Sequence, residues 1–414
     1  ILASVTVITP LLTLQVADSV YRHILNVVDQ KKLNQFFSSG FFIVNISCFL
    51  SLIIFFFVNL CIDFSFIVEL ALIQVGYIYY NFVQQTIRGL GQHKIYAIMG
   101  GFNASMVLLF SVSAFVFFDF GFRGLLISIF ISNFLAAIII SIKCSLFKML
   151  KFNCINFKVI KQMLLYSSPL LPNTLSWWVI DLGSRYLILF YLGLEENGIY
   201  AISARYAGII AILNSIFILT WQDFVIKKKG TTHQNINFFS NIFETYIIFQ
   251  FTLLILLTSI SSEIISYTTF EEFHSAKKYL PILLLSSILS SFCGFFGAFY
   301  LKFKNTKEIF VTTLYGSIIN LLICFLFINE YNLYAVSIAS VIGFLTTLLF
   351  RMRKYPIKVN YGLIFLLFLF FIIALYTVYT SSLNIFRISL ICLSTILFVF
   401  LNIKSLFRLK KAFN

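Results

Sequence analysis

SPLLPNTLSWWVIDLGSRYLILFYLGLEENGIYAISARYAG, residues 168–208, is where a chain otherwise made of Ile, Leu and Phe departs from plain hydrocarbon. The run from about Leu165 to Phe224 is long enough for two membrane-crossing helices joined by the short acidic turn Gly193–Gly198, because a hydrocarbon core of about 30 Å takes about 20 apolar residues per helix. Yet it holds Pro169, Pro172, Trp177, Trp178, Asp181, Arg185 and Arg205. A charged side chain at the centre of such a helix costs roughly 2.5–3.5 kcal/mol on insertion scales, so each asks for a partner, a watered cavity or a task.

The rest of the chain has the composition of an integral membrane protein: of 414 residues, 60% are apolar and 11% charged, far from the soluble average. Its apolar runs read as helices rather than as the roughly 10-residue alternating strands of a barrel. The expected fold class is therefore all-α and polytopic. Spans are expected near 1–27, 37–60, 66–88, 94–118, 122–147, 163–192, 198–226, 238–262, 279–301, 308–328, 332–350, 361–380 and 385–403, about thirteen helices. The formal charge of +15 lies in short clusters between these runs, which speaks against nucleic acid as a partner and for membrane topology. Seven cysteines and four histidines are scattered without ligand spacing, so no metal or cofactor is expected.

Alternate connections divide the charges by sign. One side receives Arg22 with Lys31 and Lys32, Arg88 with Lys94, the group from Lys143 to Lys161, Lys227–Lys229, Lys302 to Lys307, Arg351 to Lys358, and Lys404 to Lys411, together 24 of the 30 basic residues. Opposite lie Asp63, Glu69, Asp119, Glu195, Glu196, Glu263, Glu271, Glu272 and Glu330, with Arg123, Lys277, Lys278 and Arg387 as exceptions. By the positive-inside rule the first side is cytoplasmic, as is the C-terminus, and Ile1 is outside. No signal peptide is expected; the odd helix count gives the expectation that one more helix preceded Ile1.

A faint internal echo accompanies the topology. DFGFRGLLISIF from Asp119 resembles EYNLYAVSIASV from Glu330, and GQHKIY ending at Tyr96 resembles KNTKEI ending at Ile309, at offsets of 211 and 213. Offsets of about half the chain suggest two pseudo-repeated bundles related in parallel; coincidence between low-complexity apolar segments is the alternative. The expected division is an N-terminal lobe over 1–150 with about five helices, a C-terminal lobe over 160–352 with about six, and two additional helices over 360–407.

Thr174, Trp178, Asp181 and Arg185 recur at helical intervals and share one face. Asp181 precedes Arg185 by four residues, the favourable order for an ion pair, and Asp18 and Arg22 repeat that pair on the first helix. Counted from the acidic turn at 1.5 Å per residue, Arg185 lies about 12 Å and Arg205 about 10 Å below the outer surface. Two guanidinium forks at one depth suit a diphosphate, since arginine donates paired hydrogen bonds and stays charged when poorly hydrated. On this reading Arg185 and Arg205 bind substrate and Asp181, Trp178 and Asn173 line or support the cavity. The competing reading has Asp181 and Arg185 neutralising each other while Arg205 snorkels to the outer headgroups. Pro169 and Pro172 each free a backbone carbonyl, which Asn173 can re-satisfy, and mark a hinge or a tolerated kink. Trp177, Trp178 and Trp221 either stack on sugar or simply pack. Asp223, 18 residues after Arg205 on the same helix face, is a candidate coupling carboxylate or a solvated helix-end acid. No catalytic set is present: there is no Ser/His/Asp group, phosphate loop or carboxylate pair, and no connection is long enough for a catalytic domain, so the chain does not read as an enzyme.

With these residues in view, SPLLPNTLSWWVIDLGSRYLILFYLGLEENGIY, the helix ending IFILTWQDF, AKKYLPILLLSSILSSFCGFFGAFYLKFKNTKEI and RGLGQHKIYA resemble the bacterial O-antigen and polysaccharide flippases (Wzx type) of the multidrug/oligosaccharidyl-lipid/polysaccharide exporter superfamily. The resemblance is strongest over about 160–350. It implies two six-helix lobes around a cavity followed by two extra helices, the helix missing before Ile1 being the first of the N-terminal lobe, and transfer of undecaprenyl-diphosphate-linked oligosaccharide to the outer leaflet of the bacterial inner membrane by alternating access. Partners implied are that lipid, the bilayer and a polysaccharide polymerase or other assembly protein. Arg185 and Arg205 match positions within the family pattern. Three rivals stand beside it: a multidrug or cation antiporter of the same superfamily, which would use cavity acids; a membrane polysaccharide polymerase, which would need a larger outer loop; and a non-transporting scaffold, which would leave buried charge unexplained.

Overall fold

Long apolar runs become helices in a bilayer because every backbone N–H and C=O must find its partner within the protein. The computed structural model describes residues 2–25, 27, 29–61, 65–117, 120–178, 180, 183–228, 236–355, 357–379 and 384–413, and the regular structure among them is helical throughout. Nine described helices are long and apolar enough to cross a membrane. By packing, the chain divides into two units, Ile1–Leu175 and Ser176–Asn414.

The first unit comprises α1 (Leu2–Thr13), α2 (Val16–Ile24), α3 (Gln30–Cys61), α4 (Ile67–Gly89), α5 (His93–Val116), α6 (Gly121–Lys143) and, after two 3-10 turns, α7 (Phe157–Ser167). Its centre is α4, whose Gln74, Phe82, Thr86 and Ile87 are fully buried; α5 buries only Met99. The first expected span is broken rather than continuous. Leu14 and Gln15 hold φ of 46° and 54°, a left-handed backbone that residues with a Cβ rarely adopt. They follow Pro10, whose ring lacks an N–H and crowds the turn before it. Polar contacts hold the break: Gln74 Nε2 donates to Thr9 Oγ1 at 2.7 Å, Ser47 Oγ to Leu12 O at 2.9 Å, and Gln15 Nε2 to Thr174 Oγ1. α7 is fastened by Ser19 Oγ, which donates to Met163 O at 3.0 Å.

α8 (Leu170–Trp178) contains the boundary between the units. Beyond it lie α9 (Ser184–Tyr191), α10 (Leu194–Lys227), α11 (Ile236–Ser259), α12 (Ser261–Thr268), a 3-10 segment over Glu271–Lys278, α13 (Leu280–Lys302), α14 (Thr306–Lys354), α15 (Tyr361–Tyr379) and α16 (Asn384–Phe413). α13 is the core of this unit. Trp221 of α10 stacks on its Phe295 at 4.2 Å and donates Nε1 to Phe295 O at 3.0 Å. Phe239 and Phe243 of α11 meet the same aromatic row at Phe299 and Phe296. α15 and α16 pack on α11, where Asn402 Nδ2 donates to Thr252 Oγ1 at 3.0 Å.

The spans expected at 308–328 and 332–350 are the two helical arms of α14, which folds back at Asn332, with φ 48° and ψ −133°. Straight, its 49 residues at 1.5 Å each would run far past a bilayer. The two arms close tightly because glycines face each other: a Cβ on Gly316 would stand 2.6 Å from Gly343 O, and one on Gly343 would stand 2.9 Å from Gly316 O. Small residues at such crossings let backbones approach. At the base, Lys354 pairs with Glu308, and the buried Arg351 donates to Cys293 O at 2.6 Å, which ties α14 to α13, and to Thr313 Oγ1 at 2.9 Å and Thr312 Oγ1 at 3.2 Å, which tie the two arms of α14 together.

Candidate functional site

The second unit encloses a cavity of about 550 Å³ between α8, α9, α10, α13 and the second arm of α14. Arg185 enters it from α9, Tyr200 and Asn214 from α10, and Ser340 and Phe344 from α14. α13 contributes Ser286, Ser287, Ser290 and Ser291. Arg185 is the only charged residue among the described residues that line it. Its Nε is buried without a hydrogen-bond partner, and its guanidinium forms no ion pair with a described residue. Such an unanswered cation in a low-dielectric cavity attracts an anion more strongly than one at the surface does.

Local winding decides what stands beside Arg185. Ile180 and Gly183 are π-helical, and a π turn inserts one residue into the helical register. Regular helical spacing sets Trp178, seven residues before Arg185, on the arginine's face; with the insertion that place passes to Trp177, eight residues before. Trp177 is the one that lines the cavity, stacked on Phe344 at 5.2 Å. Trp178 is half-buried and is not among the lining residues.

The other residues singled out from sequence fall as follows. Asp181 lies outside the described residues. Arg205 is exposed on α10, next to the lining residue Ala204 but not itself in the cavity wall. Pro169 sits in the turn that separates α7 from α8, and Pro172 and Asn173 are half-buried in the first turns of α8. Asp223 is buried near the C-terminal end of α10 and is not among the residues of the cavity wall. In the first unit, Asp18 lies within electrostatic reach of Arg88, whose guanidinium covers the Tyr21 ring at 4.2 Å. Among the described residues no group of three or more His, Cys, Asp or Glu could hold a metal ion.

Sequence reasoning missed the polar wall. Asn214 and Gln250 form a reciprocal amide pair. Tyr246 OH donates to Asn214 Oδ1 at 3.1 Å, and Asn214 Nδ2 also donates to Ser291. Behind Ser340, Asn320 Nδ2 donates to its Oγ at 3.5 Å, and the Ser184 hydroxyl stands 3.4 Å from Asn320 Oδ1. The available signal was SSILSS, residues 286–291, four hydroxyls in an otherwise apolar helix. A larger groove of about 890 Å³, lined by Gly183, Tyr186, Leu187, Leu189, Phe190, Leu321, Leu322 and Phe325, is almost wholly apolar. Among its described lining residues only Tyr186 carries a polar side-chain group, too few to orient a polar ligand.

No family profile matches the chain, and no curated protein matches it in sequence. Solved structures do match in fold. A substituted form of the Vibrio cholerae MATE transporter VcmN is similar with a TM-score of 0.72 and 11% identity, over 84% of this chain and 85% of that one. A MOP superfamily transporter from Pyrococcus furiosus, described as having a binding pocket of reverse polarity, gives 0.67 and 11%, over 85% of each chain. An outward-facing multidrug resistance MATE family transporter of the MOP superfamily gives 0.66 and 14%, over 85% and 86%. The chain thus has the fold of MOP superfamily transporters and is a multi-pass helical membrane protein.

Proposed function

We propose that the chain is a flippase that carries an anionic lipid headgroup, an undecaprenyl-diphosphate-linked oligosaccharide of the O-antigen, capsular or related kind, from the inner to the outer leaflet by alternating access. The observation that carries this reading is Arg185, a cation with no described counter-ion in a hydroxyl-lined cavity whose described wall includes no acid. A phosphate supplies what that guanidinium lacks: oxygens in the geometry of its paired N–H donors. Arg205, exposed beside the cavity wall, supplies a second cation to the diphosphate as it enters or leaves. Residues 1–150 and 160–352 are the moving lobes, 360–407 is an addition, Pro169 and Pro172 mark the hinge, and Asp223 is the candidate coupling acid. The setting is the bacterial inner membrane with a cytoplasmic C-terminus, beside a polysaccharide polymerase.

A second reading, a multidrug or cation antiporter, is favoured by the solved neighbours, one of which is described as a multidrug resistance transporter. It requires acids in the cavity to hold a cationic substrate. The two part on one experiment. Cells lacking the protein accumulate lipid-linked oligosaccharide on the inner leaflet if the first reading holds. Unchanged leaflet distribution together with new sensitivity to cationic drugs would establish the second.

A further inference from the structure

We infer that Ser286, Ser287 and Ser290 form a polyol-reading face, which binds the sugar joined to the phosphate held by Arg185. The inference rests on the anionic-headgroup reading above and extends it to the residues that set specificity.

Serine in an apolar helix normally donates its hydroxyl to the carbonyl one turn back, and many serines in this chain do so. Ser203 donates to Ile199 O at 3.1 Å, Ser291 to Ser287 O at 2.9 Å, Ser337 to Leu333 O at 2.9 Å and Ser340 to Val336 O at 3.1 Å. The side-chain hydroxyls of Ser286, Ser287 and Ser290 make no hydrogen bond to any described residue, and all three serines line the cavity. Ser286 is only 4% exposed, so water reaches its hydroxyl only through the cavity. Ser287 and Ser290 are half-buried against the same cavity, so the three hydroxyls are free to pair with a polar group that enters it.

Spacing adds to the case. Positions 286, 287 and 290 lie on one side of a helix, and four residues at 1.5 Å each separate the outer pair by about 6 Å, comparable with the spread of hydroxyls across a pyranose ring. A hydroxyl both donates and accepts, which matches a sugar and gives nothing particular to a hydrophobic cation. Trp177, stacked on Phe344, adds an aromatic surface at the same cavity, and Arg185 Nε, buried and unpaired, independently points to an anionic group there. The ligand class is therefore a glycosyl phosphate, with phosphate at α9 and ring hydroxyls at α13.

The test uses the full chain purified in detergent, with glucose 1-phosphate and methyl phosphate as probes in calorimetric titration; the two carry the same phosphate charge and differ in the polyol. The wild type is expected to prefer glucose 1-phosphate. Ser286→Ala with Ser290→Ala is expected to weaken glucose 1-phosphate roughly 5- to 10-fold, the worth of one or two neutral hydrogen bonds, and to leave methyl phosphate within twofold. Ser290→Thr, which keeps a hydroxyl, retains the preference, and Arg185→Gln loses both probes. No preference in the wild type, or a preference that survives the double alanine change, overturns the serine face while the anionic reading stands. Failure of the wild type to bind either phosphate overturns the anionic reading itself.

Discussion

Arg351 offers a substitution pair whose outcomes diverge. It is 2% exposed and donates three hydrogen bonds, all to uncharged acceptors. No described carboxylate answers its charge. Bonds from a charged donor are worth about 1.5–3 kcal/mol each, so three amount to roughly 4–9 kcal/mol. Holding an arginine away from water costs several kcal/mol in the opposite direction. What the partners lose is small, because Thr312 and Thr313 both donate their own hydroxyls to Ile309 O at 2.9 Å and stay paired as donors. Arg351→Met keeps most of the stem's volume and removes bonds and desolvation together, so its net effect is expected within about 1 kcal/mol of wild type. Arg351→Ala also opens a cavity where Arg351 Nη1 packs against Gly297, and is expected to cost about 2–4 kcal/mol. In thermal unfolding of the purified protein the alanine variant should fall by about 2–5 °C, with the methionine variant close to wild type. A methionine variant that falls as far as the alanine one would show that the charged bonds, and not the stem's packing, hold the arms of α14 to each other and to α13, and the reasoning would be refuted.

Other consequences are as direct. Gly343→Leu, whose Cβ would stand 2.9 Å from Gly316 O, should cost about 1–3 kcal/mol or more by forcing the α14 arms apart, seen as loss of the monodisperse peak in size-exclusion chromatography. Gly100→Ala, where a Cβ meets nothing within 4 Å, is the matched control and should elute as wild type. Asn214→Leu removes the acceptor of Tyr246 OH and the partner of Gln250; at about 1–3 kcal/mol per orphaned buried group, its unfolding midpoint in denaturing detergent should drop clearly. Glu308→Gln breaks only an exposed ion pair with Lys354 and should change that midpoint by less than about 1 kcal/mol equivalent.

How much was legible in the sequence followed from which interactions are local. A span needs only its own apolar residues, so 94–118 and 361–380 read from hydropathy appear as His93–Val116 and Tyr361–Tyr379. Arg185 stood out because charge in a greasy helix is expensive wherever the helix packs. The break at Leu14 and Gln15 was not legible, since neither residue is a glycine and the contacts that hold it come from Gln74 and Thr174 on distant segments. The π turn near Gly183 was likewise hidden, and with it the exchange of Trp178 for Trp177 beside the arginine. The serine face could be seen as a spelling, SSILSS. That its hydroxyls forgo the usual bond to the helix backbone is a property of the packed cavity.

The decisive measurement is export in cells whose only copy of the protein carries Arg185→Gln, with the amount of membrane-inserted protein checked against wild type. If the cavity arginine grips a diphosphate, surface polysaccharide is lost and lipid-linked oligosaccharide builds up on the inner leaflet, while Arg185→Lys retains partial export because it keeps the charge without the fork. Wild-type export by a normally inserted Arg185→Gln protein would contradict that grip.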